Sequence, residues 1–156
     1  MTGFDTSFLC ALYRTQDNSE RAIAHRGTLD GPLIVTRLLL WEFRQAARFQ
    51  AFRHRHNPQV GYPLHEAEKM ISDFKEDLDD GSAVITEIDW VNMLTLAERI
   101  SRARTFTGGH RSFDVLHVAA ALEMEADVFL SFDGNQNTLA AAEGLVTPLA
   151  LHSPEI

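Results

Sequence analysis

Short apolar runs alternate along this chain with longer stretches in which apolar residues recur every three or four positions. The first pattern predicts buried strands and the second predicts amphipathic helices. A very short strand ends at Phe4, and Ser7 to Arg14 reads as a helix with Phe8, Leu9, Ala11 and Leu12 inward. Thr15 to Asn18 is a polar break, and Ser19 caps a second helix, Glu20 to Leu29. Asp30-Gly31-Pro32 marks a turn, followed by a buried strand, Leu33 to Thr36, and a helix from Arg37 to Arg53. His54 to Pro63 is irregular, and a helix follows from Leu64 to Leu78. Asp79-Asp80-Gly81 ends it, Ala83 to Ile88 alternates as a strand, and Trp90 to Arg104 is amphipathic. Beyond a Thr107-Gly108-Gly109 loop, Ser112 to Glu125 is apolar nearly all round, the pattern of a buried helix. Val128 to Phe132 reads as a buried strand, Asn135 to Glu143 as a helix capped by Gly144, and Leu145 to Leu149 as a last strand.

Strands alternating with helices predict an α/β domain with a central parallel sheet flanked by helices in three layers. A chain of 156 residues is expected to form a single domain spanning 1–156. No stretch reaches the roughly 20 apolar residues needed to cross a bilayer, so no membrane association is expected. The N-terminus lacks the basic and apolar regions of a signal peptide. The single Cys10 sits among apolar neighbours and cannot form an internal disulfide, which fits a reducing cytoplasm.

The net charge of −8 argues against passive nucleic-acid binding through a broadly basic surface. The positive charge is nevertheless concentrated. Arg44, Arg48, Arg53 and Arg55 with His54 and His56 form one stretch, and Arg99, Arg102, Arg104 and Arg111 another. Twelve of the fourteen basic residues are Arg, whose planar fork suits phosphate better than the point charge of Lys. Both stretches also read as solvated helix faces. Leu38-Leu39-Leu40-Trp41 with Phe49 and Phe52 exceed what one core-facing stripe needs, and suggest a protein-binding surface.

Four acids sit at predicted strand ends or early helical turns: Asp5, Glu42, Asp114 and Asp133. Each has an ordinary explanation. Asp5 can cap a helix, Glu42 can face solvent, Asp114 can complement a helix dipole, and Asp133-Gly134 can be a turn. Together they suggest more, because open parallel sheets bind ligands at the carboxyl ends of their strands. Two carboxylates about 4 Å apart repel by roughly 4 kcal/mol at the edge of a protein, so a converging group needs protons or cations. His117, three residues after Asp114, reads as a core histidine, and Asn135, Gln136 and Asn137 as RNA contacts or caps of the last helix. There is no Gly-rich phosphate loop, no Ser-His-Asp logic and no dinucleotide fingerprint. A phospho-acceptor receiver domain expects adjacent acids at its first strand end and a late Lys, and both are missing.

Several segments taken in order resemble the PIN-domain ribonucleases, and within them the toxins of VapBC-type toxin–antitoxin pairs. They are Phe4-Asp5-Thr6-Ser7-Phe8-Leu9, the run Leu33 to Thr36 leading to Glu42-Phe43, Arg111-Ser112-Phe113-Asp114 through Leu122, and Val128 to Asp133. The chain departs from that family in having only Phe4 as an apolar residue before the first Asp. The resemblance implies a Rossmann-like sheet whose acids bind Mg²⁺ or Mn²⁺ and cleave RNA. It carries catalytic and metal-binding roles onto Asp5, Glu42, Asp114 and Asp133. It makes Thr6, Ser7 and Ser131 hydroxyl partners of the site and Arg111 a phosphate contact, although Arg111 can equally pair with Asp114. It further implies a small antitoxin as partner and a homodimer. An RNA-processing nuclease that is not a toxin, and an idle interaction module on the same fold, are the alternatives.

Overall fold

The computed structural model describes residues 1–150. By its internal contacts the chain divides into two compact units, Met1–Phe8 with the chain from Glu87 onward, and Leu9–Thr86. The division falls within the first helix, α1 (Thr6–Tyr13).

In the first unit, β1 (Thr2–Phe4) lies parallel to β4 (Val128–Leu130). The register pairs Thr2 with Val128, Gly3 with Phe129 and Phe4 with Leu130. Helix α7 (Ser112–Glu123) packs on this pair, and its Ala119, Ala120 and Ala121 are buried. The approach is close enough to require glycine on the strand. A Cβ placed on Gly3 would stand 2.6 Å from the Cβ of Ala121, far inside van der Waals contact. Phe129, Val118 and Leu139 build the core beside them, with Met93 and Ile100 from α5 (Trp90–Ile100). Asp89 caps α5 by accepting from the backbone N–H groups of Val91 and Asn92. Helix α8 (Gly134–Ala142) follows β4 and ends before Gly144, whose φ of 92° is the left-handed turn expected of it.

The second unit contains α2 (Ser19–Arg26) and a second parallel pair, β2 (Leu33–Thr36) on β3 (Ala83–Thr86), in register Leu33 to Ala83 through Thr36 to Thr86. Thr36 caps α3 (Arg37–His56) through its hydroxyl, which accepts from the Leu39 N–H at 3.1 Å. Phe43 of α3 and Phe74 of α4 (Leu64–Asp80) meet edge to face at 5.2 Å, with the ring of Tyr13 against both. Gly81, at φ 86°, stops α4 where the Asp-Asp-Gly signal places it.

Parallel pairing and alternation with helices are as expected for an α/β fold, and several details differ. Ser19 is the first residue of α2 and not its cap, its hydroxyl accepting from the Gln16 N–H and donating to the Arg14 carbonyl, and β4 ends at Leu130, short of the expected Phe132. The last strand shrinks to one bridge, Val146 on Val128. Pro148 follows two residues later and has no N–H to extend a ladder. The strand from Ala83 stops at Thr86, short of the expected Ile88, ahead of the Asp89 cap. The expected helix from Trp90 to Arg104 breaks after Ile100 into a π-helical segment, Ser101–Thr105, and a short α6, Phe106–Gly108. Glu143 supplies the reason. Its buried carboxylate accepts from Arg99 at 2.8 Å and from Arg104 at 2.9 Å. Residues five apart on an α-helix point about 140° away from each other. The wider i→i+5 turn brings two such residues toward one face.

Burial acts to raise the Glu143 carboxyl, but hydrogen bonds from Arg104 and Arg99 outweigh it and hold the group below its ordinary 4.5. A carboxyl lowered in the folded state stabilises the fold above its unfolded value and loses that stabilisation as pH falls through its folded value. Glu143→Gln is therefore expected to cost about 1–3 kcal/mol at neutral pH. Chemical denaturation at neutral pH and below pH 4.5 checks this, since the deficit should shrink in acid.

Candidate active site

The parallel register of β1 and β4 places Asp5 and Ser131 next to each other, one residue past the end of each strand. The Asp5 N–H continues the ladder to the Leu130 carbonyl at 3.2 Å. Asp5 is 6% exposed and makes hydrogen bonds through both carboxylate oxygens. Oδ1 accepts from the Ser7 hydroxyl at 2.6 Å and from the Phe8 N–H at 3.2 Å. Oδ2 accepts from the Ser131 hydroxyl at 2.7 Å. The two hydroxyls are themselves fixed by the backbone. Ser131 Oγ accepts from the Asp133 N–H at 2.9 Å, and Ser7 Oγ from the Phe132 N–H at 2.8 Å. Asp5, Ser7, Ser131 and the turn to Asp133 thus form one network in the first unit.

Asp133 caps α8. Its Oδ1 accepts from the Asn135 and Gln136 N–H groups at 2.8 and 3.0 Å. Asp114 occupies the first turn of α7, and its Oδ2 accepts from the Arg111 N–H at 2.8 Å. The Arg111 guanidinium stands 3.8 Å away on a largely exposed side chain, a loose ion pair that leaves it available to other anions. The ordinary capping roles of Asp5 and Asp133 are therefore real. They leave Asp133 Oδ2 and Asp114 Oδ1 without hydrogen bonds among the described residues.

Two buried amides tie these acids to the scaffold. The Gln136 side chain, 1% exposed, donates to the Asp114 carbonyl at 3.0 Å. The Asn137 side chain donates to the Ser131 carbonyl at 3.0 Å. Both side chains are buried. Their role is to position α7 and the Ser131 turn, and their only sequence signal was their place after Asp133. His117, buried on α7, favours the ionised form of Asp5 electrostatically, so it serves the network as well as the core.

Thr6 opens α1, half-buried, directly after Asp5. Glu42 lies half-buried in the second turn of α3, in the other unit. Among the described residues, no group of three or more His, Cys, Asp or Glu side chains stands close enough together to hold a metal ion. The chemistry of the donors in the first unit still suits a hard cation, since all are carboxylate or hydroxyl oxygens. Mg²⁺ is commonly bound through one or two carboxylates, with water and substrate phosphate completing the shell.

Residues 4–142 match the PIN domain family, and the chain belongs to it. Sequence comparison with curated proteins finds no match. Among solved structures, VapC20 of Mycobacterium tuberculosis, described as a sarcin–ricin loop cleaving toxin, aligns with a TM-score of 0.63 and 14% identity over 94% of this chain and 97% of that one. VapBC-1 from nontypeable Haemophilus influenzae aligns with a TM-score of 0.60 and 13% identity, over 94% and 95% of the two chains. FitAcB from Neisseria gonorrhoeae aligns at 0.59 and 16%, over 94% and 96%. At these identities the likeness establishes the fold.

Burial raises the Asp5 carboxyl above its ordinary 3.8, more than the Ser7 and Ser131 hydrogen bonds, His117 and the Phe8 N–H lower it. The folded protein therefore holds that proton more tightly than the unfolded chain, and stability falls as pH rises above 3.8 through the folded value. Without divalent metal, Asp5→Asn should melt above the wild type at neutral pH, and the gap should close in acid. Thermal melts at the two pH values check it; equal melting at neutral pH would mean that the hydroxyls fully offset burial.

Proposed function

We propose that this protein is a Mg²⁺- or Mn²⁺-dependent endoribonuclease and the toxin of a toxin–antitoxin pair. One observation carries the reading: in a chain of the PIN family, Asp5 is buried at the end of a parallel strand pair and joined through Ser131 to the turn bearing Asp133. The likeness to VapC20 and VapBC-1 supports the toxin reading.

Asp5, Asp114 and Asp133 would hold the cation, and Glu42 joins them in this reading through the resemblance alone. When bound, such an ion lowers the pKa of a water and offsets charge developing on the phosphate. The chain's own residues do the rest. Ser7 and Ser131 hold the Asp5 carboxylate in one orientation, which keeps its charge fixed during reaction. Thr6 follows Asp5 in the chain and, by the resemblance, would offer a further hydroxyl to water or substrate. The largely exposed Arg111 offers its fork to a substrate phosphate. Water attacks phosphorus and the 3′-oxygen leaves, so the fragments carry 5′-phosphate and 3′-hydroxyl ends.

The whole chain acts as one domain in this reading. Its partners are RNA, a small antitoxin protein and a second copy of itself, and it works in the cytoplasm. Val91, Leu94 and Phe106 of the first unit are exposed apolar side chains suited to pairing with that second copy. Among the described residues no helix is long and apolar enough to cross a membrane.

Cleavage of single-stranded RNA by the purified protein should require Mg²⁺ or Mn²⁺ and stop in EDTA. Asp114→Asn keeps a cap acceptor for Arg111, so it should retain the wild-type melting behaviour. Its activity should fall by more than the roughly 10–100-fold that losing an outer-shell partner of a metal site costs. Glu42→Gln should behave likewise. Full activity in Asp114→Asn, or fragments ending in cyclic phosphate, would refute the mechanism.

A further inference from the structure

We infer that the exposed face of α3 is a platform for single-stranded RNA, on which bases stack against aromatic rings while arginines hold phosphates. The inference rests on the nuclease reading for its choice of polymer.

Leu39, Phe43, Ala47 and Ala51 fill the buried side of α3. Leu39 and Leu40 are thus core residues and do not belong to a binding surface. The surplus that remains is aromatic. Trp41 is 56% exposed, Phe49 52% and Phe52 56%. Helical spacing sets Trp41, Arg48, Phe52 and Arg55 in one stripe, and the rise per residue stretches it over about 20 Å. The rings do not splay apart. Phe49 and Phe52 stack at 6.0 Å with planes 16° apart, and Phe52 meets the His56 ring at 4.3 Å. They form a shelf whose edge is lined by Arg37, Arg48 and Arg55, all exposed.

Charge selects the occupant. Helix α3 carries five Arg and a single acid, the half-buried Glu42, for a net +4. The chain as a whole is −8, so the remainder is −12. A second copy docking the same face on itself would bring two rows of arginine together, which like-charge repulsion opposes. An anionic polymer with planar rings meets both demands of the surface. Arg forks suit phosphate oxygens. Base–aromatic stacking is sequence-tolerant and worth about 1–3 kcal/mol per base.

The test uses the full chain carrying Asp5→Asn, in EDTA, so that binding is read without cleavage. The probe is a fluorescein-labelled single-stranded RNA of roughly 12 nucleotides, within the site sizes of such grooves. Anisotropy is followed from about 50 to about 200 mM salt. R48Q with R55Q should flatten the slope of log K against log salt by about 1.4, two phosphates at roughly 0.7 each. W41A with F52A should weaken binding at least about fivefold at every salt concentration and leave the slope unchanged. All four positions are exposed, so melting should not move. Binding like the parent in both pairs would overturn the platform. So would a parent dimer that W41A with F52A converts to monomer at unchanged RNA affinity, since the face would then be a protein interface. Absence of metal-dependent cleavage by the wild type, with the variant effects as expected, would remove the nuclease reading and keep the platform.

Discussion

The parallel register of β1 on β4 is the constraint on which the candidate site depends. It makes Asp5 and Ser131 neighbours although 126 positions separate them along the chain. Side chains in a strand have a period of two, so a slip by one residue would turn Asp5 away from Ser131 and expose Phe4. The register is held by packing as much as by hydrogen bonds. Gly3, paired with Phe129, lies where Ala121 leaves no room for a side chain.

Around that pairing, backbone and side chain share the same polar atoms. Ser131 receives a backbone N–H from Asp133 and gives its own proton to Asp5. Ser7 does the same between Phe132 and Asp5. A buried carboxylate survives because it is fully hydrogen-bonded, yet it remains costly. A fold that maintains such a group instead of an apolar one keeps an ionisable acid at the ends of its strands. The first unit spends its small residues and buried amides to this end.

Much of this was legible in the sequence. Period and punctuation located the helices and strands, because Gly81, Gly144, Asp30-Gly31 and the runs at Leu33 and Val128 speak locally. Three of the acids could be assigned to strand ends and helix starts for the same reason. The rest was set by distant partners. The break after Ile100 follows from Glu143, more than forty positions on, and the last strand from the reach of Val128. Gln136 and Asn137 read as RNA contacts or helix caps, and only tertiary burial reveals them as internal ties. The leucines of α3 looked like surplus because a run of four cannot say which side faces inward, whereas Trp41, Phe49 and Phe52 proved exposed.

Capping by Asp5 and Asp133 has an evolutionary consequence. Asn serves at a helix N-terminus about as well as Asp, and it fits the same space. If these acids do the work proposed for them, a single base change erases the activity while the architecture persists, so descendants of this fold can drift into inert binders without passing through an unfolded ancestor.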